Sequence, residues 1–286
     1  MSAIEILSEH RSYGGTVSFC RHISAATGTG MTFAVYVPPA AQEGTVPVLT
    51  WLAGLTCTHE TFMIKAGAQR MAAALGLMLV APDTSPRGEG VPDAPGGAYD
   101  LGLGAGFYLD ATEEPWARHY RMASYILEDL PAAVFANFPG DPQAQGIFGH
   151  SMGGHGALTL GLGNPDRFKS ISAFAPIAAP MRAPWGEKAF TAYLGPDREA
   201  WKAHDATEIV GGGIENAAMR PKILIDQGLA DPFLAEQLHP DLFAAACARV
   251  GYPLELRRHA GYDHGYYFIS TFMADHLRHH AALLKG

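Results

Sequence analysis

The stretch Gly149-His150-Ser151-Met152-Gly153 sets a serine between two glycines where a strand should give way to a helix. The apolar run 145–148 precedes it, and the small-residue segment 154–160 follows it. This arrangement is typical of a nucleophile elbow, a tight turn that strains the serine backbone and lifts its hydroxyl above the sheet. The flanking positions need glycine because larger side chains would collide with the adjoining strand and helix. Ser151 is therefore the predicted nucleophile.

Outward from the elbow, strand-like runs alternate with helix-like segments, which indicates a mostly parallel sheet with helices on both faces. Most of these runs are continuously apolar, as buried parallel strands are. The predicted strands are 31–37, 48–52, 77–81, 145–148, 170–174, 222–226 and 254–258, and the predicted helices are 60–75, 120–138, 152–162, 233–250 and 266–284. Pro131 should kink or split the second helix. With 286 residues, 48% of them hydrophobic, a single α/β domain over 1–286 is predicted.

The segment 83–118 is crowded with glycine and proline and has no helical or strand period. It follows a predicted strand on the side where open α/β sheets bind ligands, and structureless segments of this length are usually functional, so we expect an active-site loop. Gly102, Gly104 and Gly106 could suggest a nucleotide loop, but no strand and helix frame them. They are expected to form a flexible lining of the acyl site.

Charge and composition disfavour several classes of partner. The formal net charge is −8 and no run is rich in lysine or arginine, which argues against nucleic acid and anionic membranes. Residues 1–9 carry two acids and no sustained apolar run, so no signal peptide is predicted. No apolar stretch reaches the roughly 18 residues of a membrane span.

Cysteine and histidine usage predicts no metal. Cys20, Cys57 and Cys247 are an odd and widely spaced set, which argues against disulfides and zinc and fits a reducing cytoplasm. The cluster His276, His279 and His280 is expected on the solvent face of the C-terminal helix rather than on a metal. No HExxH or comparable ligand spacing occurs.

The acid and the base should follow the nucleophile in the order Ser, acid, His of α/β-hydrolases. Asp226 ends a predicted strand, whereas Asp231 lies in a loop and can reach over the sheet edge, so Asp231 is preferred. Its other reading is a helix N-cap before Pro232, and both roles can coexist. His264 lies between the last strand and the C-terminal helix, where the catalytic base belongs. Three other histidines are read as satisfied structural residues: His150, His155 and His259.

A tetrahedral oxyanion needs two preorganised donors. One should be the backbone N–H of Met152, directly after the nucleophile. The other should be the amide of Leu55 in the loop that follows strand 48–52, where Gly54 can expose it. A plain strand-to-helix turn is the alternative for Leu55, because the consecutive glycines of lipases are missing here.

At this point the chain resembles the esterase D family of S-formylglutathione hydrolases along nearly its whole length. The matching segments are 52–58, 82–88, 104–108, 111–116, 149–157, 184–190, 226–228 and 262–264. The resemblance implies a cytoplasmic, cofactor-free serine hydrolase, commonly a homodimer, that cleaves a small-molecule glutathione thioester in formaldehyde detoxification. It places the triad on Ser151, Asp231 and His264, and the oxyanion donors on Leu55 and Met152.

The resemblance also implies substrate contacts for Phe107, Tyr108 and Trp185. Trp185 falls in an expected substrate-side insertion at about 176–206, although a core tryptophan is the other reading. Cys57, two positions past the expected oxyanion donor, is either a small buried residue or a regulatory thiol beside the active site.

The sequence departs from the family pattern at Ala179, Ala183, Gly265 and His59. These departures leave the catalytic groups intact and put the fine acyl preference in question. A broad-specificity short-chain carboxylesterase or acyltransferase with the same triad is therefore the alternative function.

Overall fold

The computed structural model describes residues 3–285, which leaves residues 1, 2 and 286 outside the description. Within this range one sheet of nine strands forms in the order β1-β2-β3-β5-β4-β6-β7-β8-β9. The strands are Glu5–Ser12 (β1), Gly15–Ile23 (β2), Gly30–Val37 (β3), Val46–Leu52 (β4), Met78–Pro82 (β5), Gly140–His150 (β6), Phe168–Phe174 (β7), Ile223–Gly228 (β8) and Leu254–His259 (β9). From β5 to β9 all neighbours are parallel, and β1 to β3 extend the sheet antiparallel. The predicted α/β class is confirmed.

The sequence patterns predicted the strands from β3 onward but missed β1 and β2. The two form a hairpin in which Ser12 pairs with Gly15, so Tyr13 and Gly14 make the turn. Both turn residues have positive φ, 47° and 77°, as a two-residue turn matching the strand twist requires. Most of β1 is exposed, so it has no apolar face for a pattern to reveal.

Two of the predicted helices, 152–162 and 266–284, are found with nearly the same bounds, and the other three are divided. The described helices are His59–Lys65 (α1), Gln69–Leu75 (α2), Met122–Ser124 (α3), Leu130–Asn137 (α4), Met152–Gly163 (α5), Pro184–Leu194 (α6), Arg198–Trp201 (α7), Ala206–Gly211 (α8), Pro240–Val250 (α9) and Tyr266–Leu284 (α10). The single helix expected over 60–75 is broken at Gly67, which has φ 65°. The helix expected over 120–138 is irregular near Pro131, where a π-helical turn at Tyr125–Asp129 lies between α3 and α4 and Pro131 is the second residue of α4. The helix expected over 233–250 is interrupted at His239, where φ is 50°, just before α9.

Two helices cover opposite faces of the sheet. A Cβ on Gly161 of α5 would meet Ile171, whereas His280 of α10 bonds to Ser170 and Ser172. Because successive residues of a strand point to opposite faces, α5 and α10 lie on the two sides of β7. Among residues 3–285, no helix combines the length and apolar character of a membrane span.

Segment 83–118 contains no helix or strand, only two isolated bridges. It is nevertheless tied down. The Tyr193 hydroxyl accepts from Gly102 N at 2.9 Å and donates to Ala105 O at 2.9 Å. Gly104 O accepts from the Thr56 amide at 2.9 Å, so the segment braces the loop that follows β4.

The histidines of α10 face the core, and the expectation of a solvent face was wrong. His276 and His280 are fully buried, and His279 bonds to Ile171 O at 3.2 Å. His276 Nε2 donates to the Asp226 carboxylate at 3.2 Å, and in the neutral ring its Nδ1 accepts from the Ser172 hydroxyl at 2.8 Å. Ser172 Oγ then accepts from His280 Nε2 at 2.8 Å. Burial lowers the pKa of both histidines and so favours the neutral rings that these hydrogen-bond directions assume.

Arg257 and His259 complete the surroundings of Asp226. Arg257 donates two hydrogen bonds of 2.6 Å to its carboxylate, and His259 Nε2 lies 3.1 Å from Oδ1. Burial alone would raise the pKa of Asp226, but the hydrogen bonds from His276, Arg257 and His259 outweigh it, and the pKa lies below its ordinary value. The expected structural role of His259 agrees with these contacts.

We expect the protein to lose stability steeply below about pH 6.5, the pKa of an unperturbed histidine. Burial lowers the pKa of His276 and of His280, that of His155 to about 3 and that of His279 to about 4. As the pH falls below 6.5, the unfolded chain binds protons at these sites while the folded chain does not. Each such histidine therefore removes up to about 1.4 kcal/mol of unfolding free energy per pH unit.

Urea unfolding between pH 8 and pH 4.5 measures this slope. His155→Gln should make it shallower by about one proton, and His10→Gln, at an exposed position of β1, should leave it unchanged. An unfolding free energy that stays constant from pH 7.5 to pH 5 contradicts the expectation.

Candidate active site

The elbow at Ser151 has the geometry that its sequence predicts. Strand β6 ends at His150, α5 begins at Met152, and Ser151 between them has φ 57° and ψ −119°. A Cβ on Gly149 would collide with the carbonyl of Gly153, and one on Gly153 with that of Leu52. The Ser151 amide donates to Phe174 O at 3.0 Å, which fixes the strained residue to the neighbouring strand.

The structure brings Asp231 and not Asp226 to His264. Oδ2 of Asp231 lies 2.5 Å from Nδ1 of His264. Because a carboxylate only accepts, Nδ1 carries the proton and Nε2 is left as the basic nitrogen. Oδ1 of Asp231 accepts from the Phe233 amide at 2.8 Å, so the capping contact expected for this residue coexists with the bond to His264. Its side chain is fully buried, whereas that of His264 is 15% exposed.

Two rings hold the imidazole of His264 from the sides. The His150 ring lies 4.4 Å away between centroids, and the Phe233 ring meets it edge-on at 5.0 Å. Burial, and then the neighbouring His264, lower the pKa of His150 well below its ordinary value. Neither ring nitrogen of His150 makes a well-formed hydrogen bond within residues 3–285, so the satisfied histidine expected there is not found. His155 does bond to Phe107 O, at 3.1 Å, through one nitrogen.

Ser151 and His264 open into one cavity of about 260 Å³. It is lined by Gly54, Leu55, Thr56, Cys57, Tyr99, His150, Ser151, Trp185, Phe233 and His264. Trp185, expected at the substrate, is part of its wall. Tyr99 and Phe233 were missed by the sequence interpretation, although Tyr99 lies in the predicted active-site loop and Phe233 follows Asp231 by two residues.

Phe107 and Tyr108 are buried behind this cavity and do not line it. The Phe107 ring packs against His155 and Phe190. The Tyr108 hydroxyl donates to Ala53 O at 2.9 Å, so it supports the loop after β4 from below. Both residues have positive φ, 47° and 51°, a conformation that residues with large side chains rarely adopt.

The loop expected to hold the oxyanion lies directly against the nucleophile. A Cβ on Gly54 would stand 3.2 Å from Cβ of Ser151, so only glycine leaves this approach free. The Thr84 hydroxyl donates to Cys57 O at 2.5 Å and fixes the far end of the loop. Among the described residues, the Leu55 amide donates no hydrogen bond, whereas its neighbour Thr56 does. The Leu55 amide is therefore free to act as a donor to a ligand.

Cys57 is the one cysteine at the cavity among the described residues, since Cys20 and Cys247 are buried elsewhere. Burial raises the pKa of the Cys57 thiol, and the neighbouring Thr61 and Tyr266 side chains oppose that rise only in part. Burial also raises the pKa of Cys20 and of Cys247 to about 12. A thiol reagent should therefore reach Cys57 first, slowly at neutral pH and faster as the pH rises.

We expect a bulky maleimide to inhibit the protein by filling the cavity at Cys57. Cys57→Ser should keep its activity and become resistant to the maleimide, because Cys57 lines the cavity but takes no part in proton transfer. Initial rates with an ester substrate, before and after labelling, measure this. Cys247→Ser serves as the buried control and should stay sensitive. An inactive Cys57→Ser protein that is folded contradicts the expectation.

Comparison with known proteins places this architecture in a family. The Esterase family model matches residues 24–279. S-formylglutathione hydrolase of Paracoccus denitrificans is 55% identical over 99% of both chains, and that of Mus musculus is 51% identical over 99% of this chain and all of the other. The solved structure of an S-formylglutathione hydrolase from Agrobacterium tumefaciens superposes with a TM-score of 0.94 at 53% identity, covering 98% of this chain and 99% of that one. The chain belongs to the S-formylglutathione hydrolase family of esterases.

Proposed function

We propose that this protein is a serine hydrolase that cleaves S-formylglutathione to formate and glutathione, with Ser151, His264 and Asp231 as its catalytic triad. The observation that carries the proposal is the 2.5 Å contact of Asp231 with His264, in a cavity that also contains the elbow serine. Relatives at 50–55% identity that bear the name of this activity support the substrate.

Each group has one role in two acyl-transfer steps. Ser151 Oγ attacks the thioester carbon while His264 Nε2 takes its proton, and the amides of Leu55 and Met152 receive the oxyanion. The carbon–sulfur bond then breaks, and the glutathione sulfur takes the proton from His264. A water molecule, deprotonated by His264, attacks the formyl ester, and His264 returns that proton to Ser151 Oγ as formic acid leaves and ionises to formate. Asp231 holds the tautomer of His264 and stabilises its charged form.

An aromatic wall beside His264 supports a site for the glutathione part of the substrate. Trp185 Nε1 donates to the Tyr99 hydroxyl at 3.2 Å, and the Trp185 and Phe233 rings lie 4.7 Å apart. The Trp185 amide also donates to the buried Gln237 side chain at 3.0 Å. The wall is thus fixed from behind, as a selective binding surface should be. Ala179 and Ala183, where the sequence departs from the family, are buried and lie outside this wall.

The test is a substrate series measured on one preparation. We expect kcat/KM to fall steeply from formyl to acetyl to butyryl thioesters of glutathione, since a misfit methylene costs about 1–3 kcal/mol in a close-packed pocket. Trp185→Ala should raise KM for the thioesters and affect p-nitrophenyl acetate less. Trp185→Phe keeps a ring against Phe233 and is the matched control. Its KM for the thioesters should lie between those of the wild type and Trp185→Ala.

The alternative is a broad-specificity short-chain carboxylesterase or acyltransferase. It uses the same triad and differs in the leaving group and the acceptor. A preference for butyryl or longer chains, or rates that do not depend on the glutathione part, favours this alternative over the proposal.

We also infer that the protein acts in the cytoplasm as a homodimer. The family resemblance supports both properties, and the three cysteines, none of them in a disulfide, fit a reducing compartment. Sedimentation equilibrium of the purified protein tests the dimer. A single species of 30.5 kDa at micromolar concentration contradicts it.

A further inference from the structure

The Asp231 carboxylate has a third polar neighbour besides His264 and the Phe233 amide. Gln227 is fully buried in β8, and its Nε2 donates to Asp231 Oδ2 at 3.2 Å. This oxygen is the one that accepts from His264. The same Nε2 donates to Gly228 O at 3.0 Å, so the amide bridges the carboxylate and the backbone at the end of the strand.

The backbone at Gly228 is held in place because the loop that carries Asp231 and the loop that carries His264 are hydrogen-bonded to each other beside it. The Leu229 amide donates to His259 O at 2.9 Å, and the Ala230 amide donates to Tyr262 O at 2.9 Å. A Cβ on Gly228 would collide with Tyr262 O, so the backbones of the two loops are in direct contact at this glycine. A group tied to Gly228 O is thus tied to the frame that also positions His264.

Donors on both oxygens determine the rotation of the carboxylate about its last bond. The Phe233 amide fixes Oδ1, and Gln227 fixes Oδ2 from the sheet side. Without Gln227, the bond from His264 would be the sole described side-chain contact on Oδ2. The imidazole of His264 gains and loses a proton during the reaction. It therefore cannot by itself fix the orientation of Asp231, the acid that must orient it.

We propose that Gln227 is a positioning residue of the active site, which holds Asp231 Oδ2 in the plane where it meets His264 Nδ1. The proposal rests on the proposed function, since it assumes that Asp231 and His264 act in the reaction. Gln227 touches no substrate, because it does not line the cavity. Its effect should therefore fall on kcat and leave KM unchanged.

Two ionisable groups of the described residues meet at the Gln227 amide. Asp231 bonds to it directly, and His264 shares the same oxygen. Asp226 precedes it in the strand and therefore points to the opposite face of β8, together with its partners Arg257, His259 and His276. A charge introduced at position 227 thus acts first on Asp231.

Two variants and a matched control test the proposal with p-nitrophenyl acetate, whose hydrolysis does not depend on the identity of the natural thioester. Gln227→Met keeps the length of the side chain and removes the donor, and kcat should fall about tenfold at unchanged KM, the effect of one lost buried hydrogen bond. Gln145→Met is the control, because Gln145 is also buried and donates to a backbone carbonyl, Pro142 O, at 2.7 Å near the start of β6. It should keep wild-type kcat.

Gln227→Glu gives a second readout that a purely structural role does not produce. A protonated glutamic acid can donate to Asp231 as the amide does, whereas an ionised one repels it. The ratio of variant to wild-type kcat should therefore be highest at pH 5.5 and fall at least tenfold by pH 8.5. This variant also decides the question if Gln227→Met does not fold.

The proposal is overturned if Gln227→Met keeps wild-type kcat, or if the ratio for folded Gln227→Glu does not change with pH. Its failure is distinct from a failure of the proposed function. If Ser151→Ala is inactive while both Gln227 variants behave as wild type, only the role of Gln227 is wrong. If Ser151→Ala is active, the triad itself is wrong.

Discussion

Replacing Ser151 with alanine should lower turnover by about 10⁵–10⁶-fold, the effect of removing the nucleophile from other serine hydrolases. The residual rate should be that of a cavity that still binds substrate and offers the oxyanion donors but forms no acyl-enzyme. Steady-state hydrolysis of a glutathione thioester and of p-nitrophenyl acetate measures the loss. Labelling by a fluorophosphonate, which reacts with an activated serine, should disappear in parallel.

The fold should survive this change, because alanine keeps the Cβ of the elbow and the backbone amide still donates to Phe174 O. The thermal unfolding midpoint should remain near that of the wild type. Ser270→Ala is the control, since Ser270 is an exposed serine of α10 whose hydroxyl bonds to its own helix. A Ser151→Ala protein with a tenth of wild-type activity rules out the nucleophile assignment.

Asp231→Asn should slow hydrolysis by about 10⁴-fold, as the same change does in other triads. The amide presents a donor where His264 Nδ1–H needs an acceptor, so the imidazole turns or adopts the wrong tautomer. The KM should change little, because Asp231 lies behind His264 and does not line the cavity. Initial rates from pH 6 to pH 9 measure the loss.

Asp226→Asn is the matched comparison, because both acids belong to the β8 region and both contact histidine. It removes the charge that Arg257, His259 and His276 share and should cost about 3–5 kcal/mol of unfolding free energy, as breaking a buried ion pair does. The fraction that remains folded should turn over substrate at nearly the wild-type rate. If Asp226→Asn abolishes turnover in folded protein and Asp231→Asn does not, the two acids have been assigned the wrong way round.

Local patterns determined those parts of the protein whose requirements are local. A serine between glycines, after an apolar run and before small residues, favours a tight strand-to-helix turn, and the collisions at Gly149 and Gly153 explain why that turn needs glycine. Most of the parallel strands are continuously apolar because both of their faces are covered, whereas β9 at the sheet edge carries charged residues. The order of Ser151, Asp231 and His264 along the chain follows from strand order, since each lies at the carboxyl end of a strand.

Tertiary structure decided the features that depend on residues far apart in the chain. The exposed β1 carries no apolar pattern and is defined by its pairing with β2. His276 and His280 read as polar residues of a terminal helix, yet the serines of β7, more than 100 positions earlier, supply the partners that allow them to be buried. Tyr99 reaches the cavity through the fold of a segment without periodicity. Gln227 lies only four positions before Asp231, but the turn between them is fixed by bonds from Leu229 and Ala230 to His259 and Tyr262, about 30 positions later. A buried polar group can find its hydrogen-bond partner anywhere in the chain. A sequence pattern reveals only features that repeat at a fixed spacing, such as the apolar face of a helix or strand.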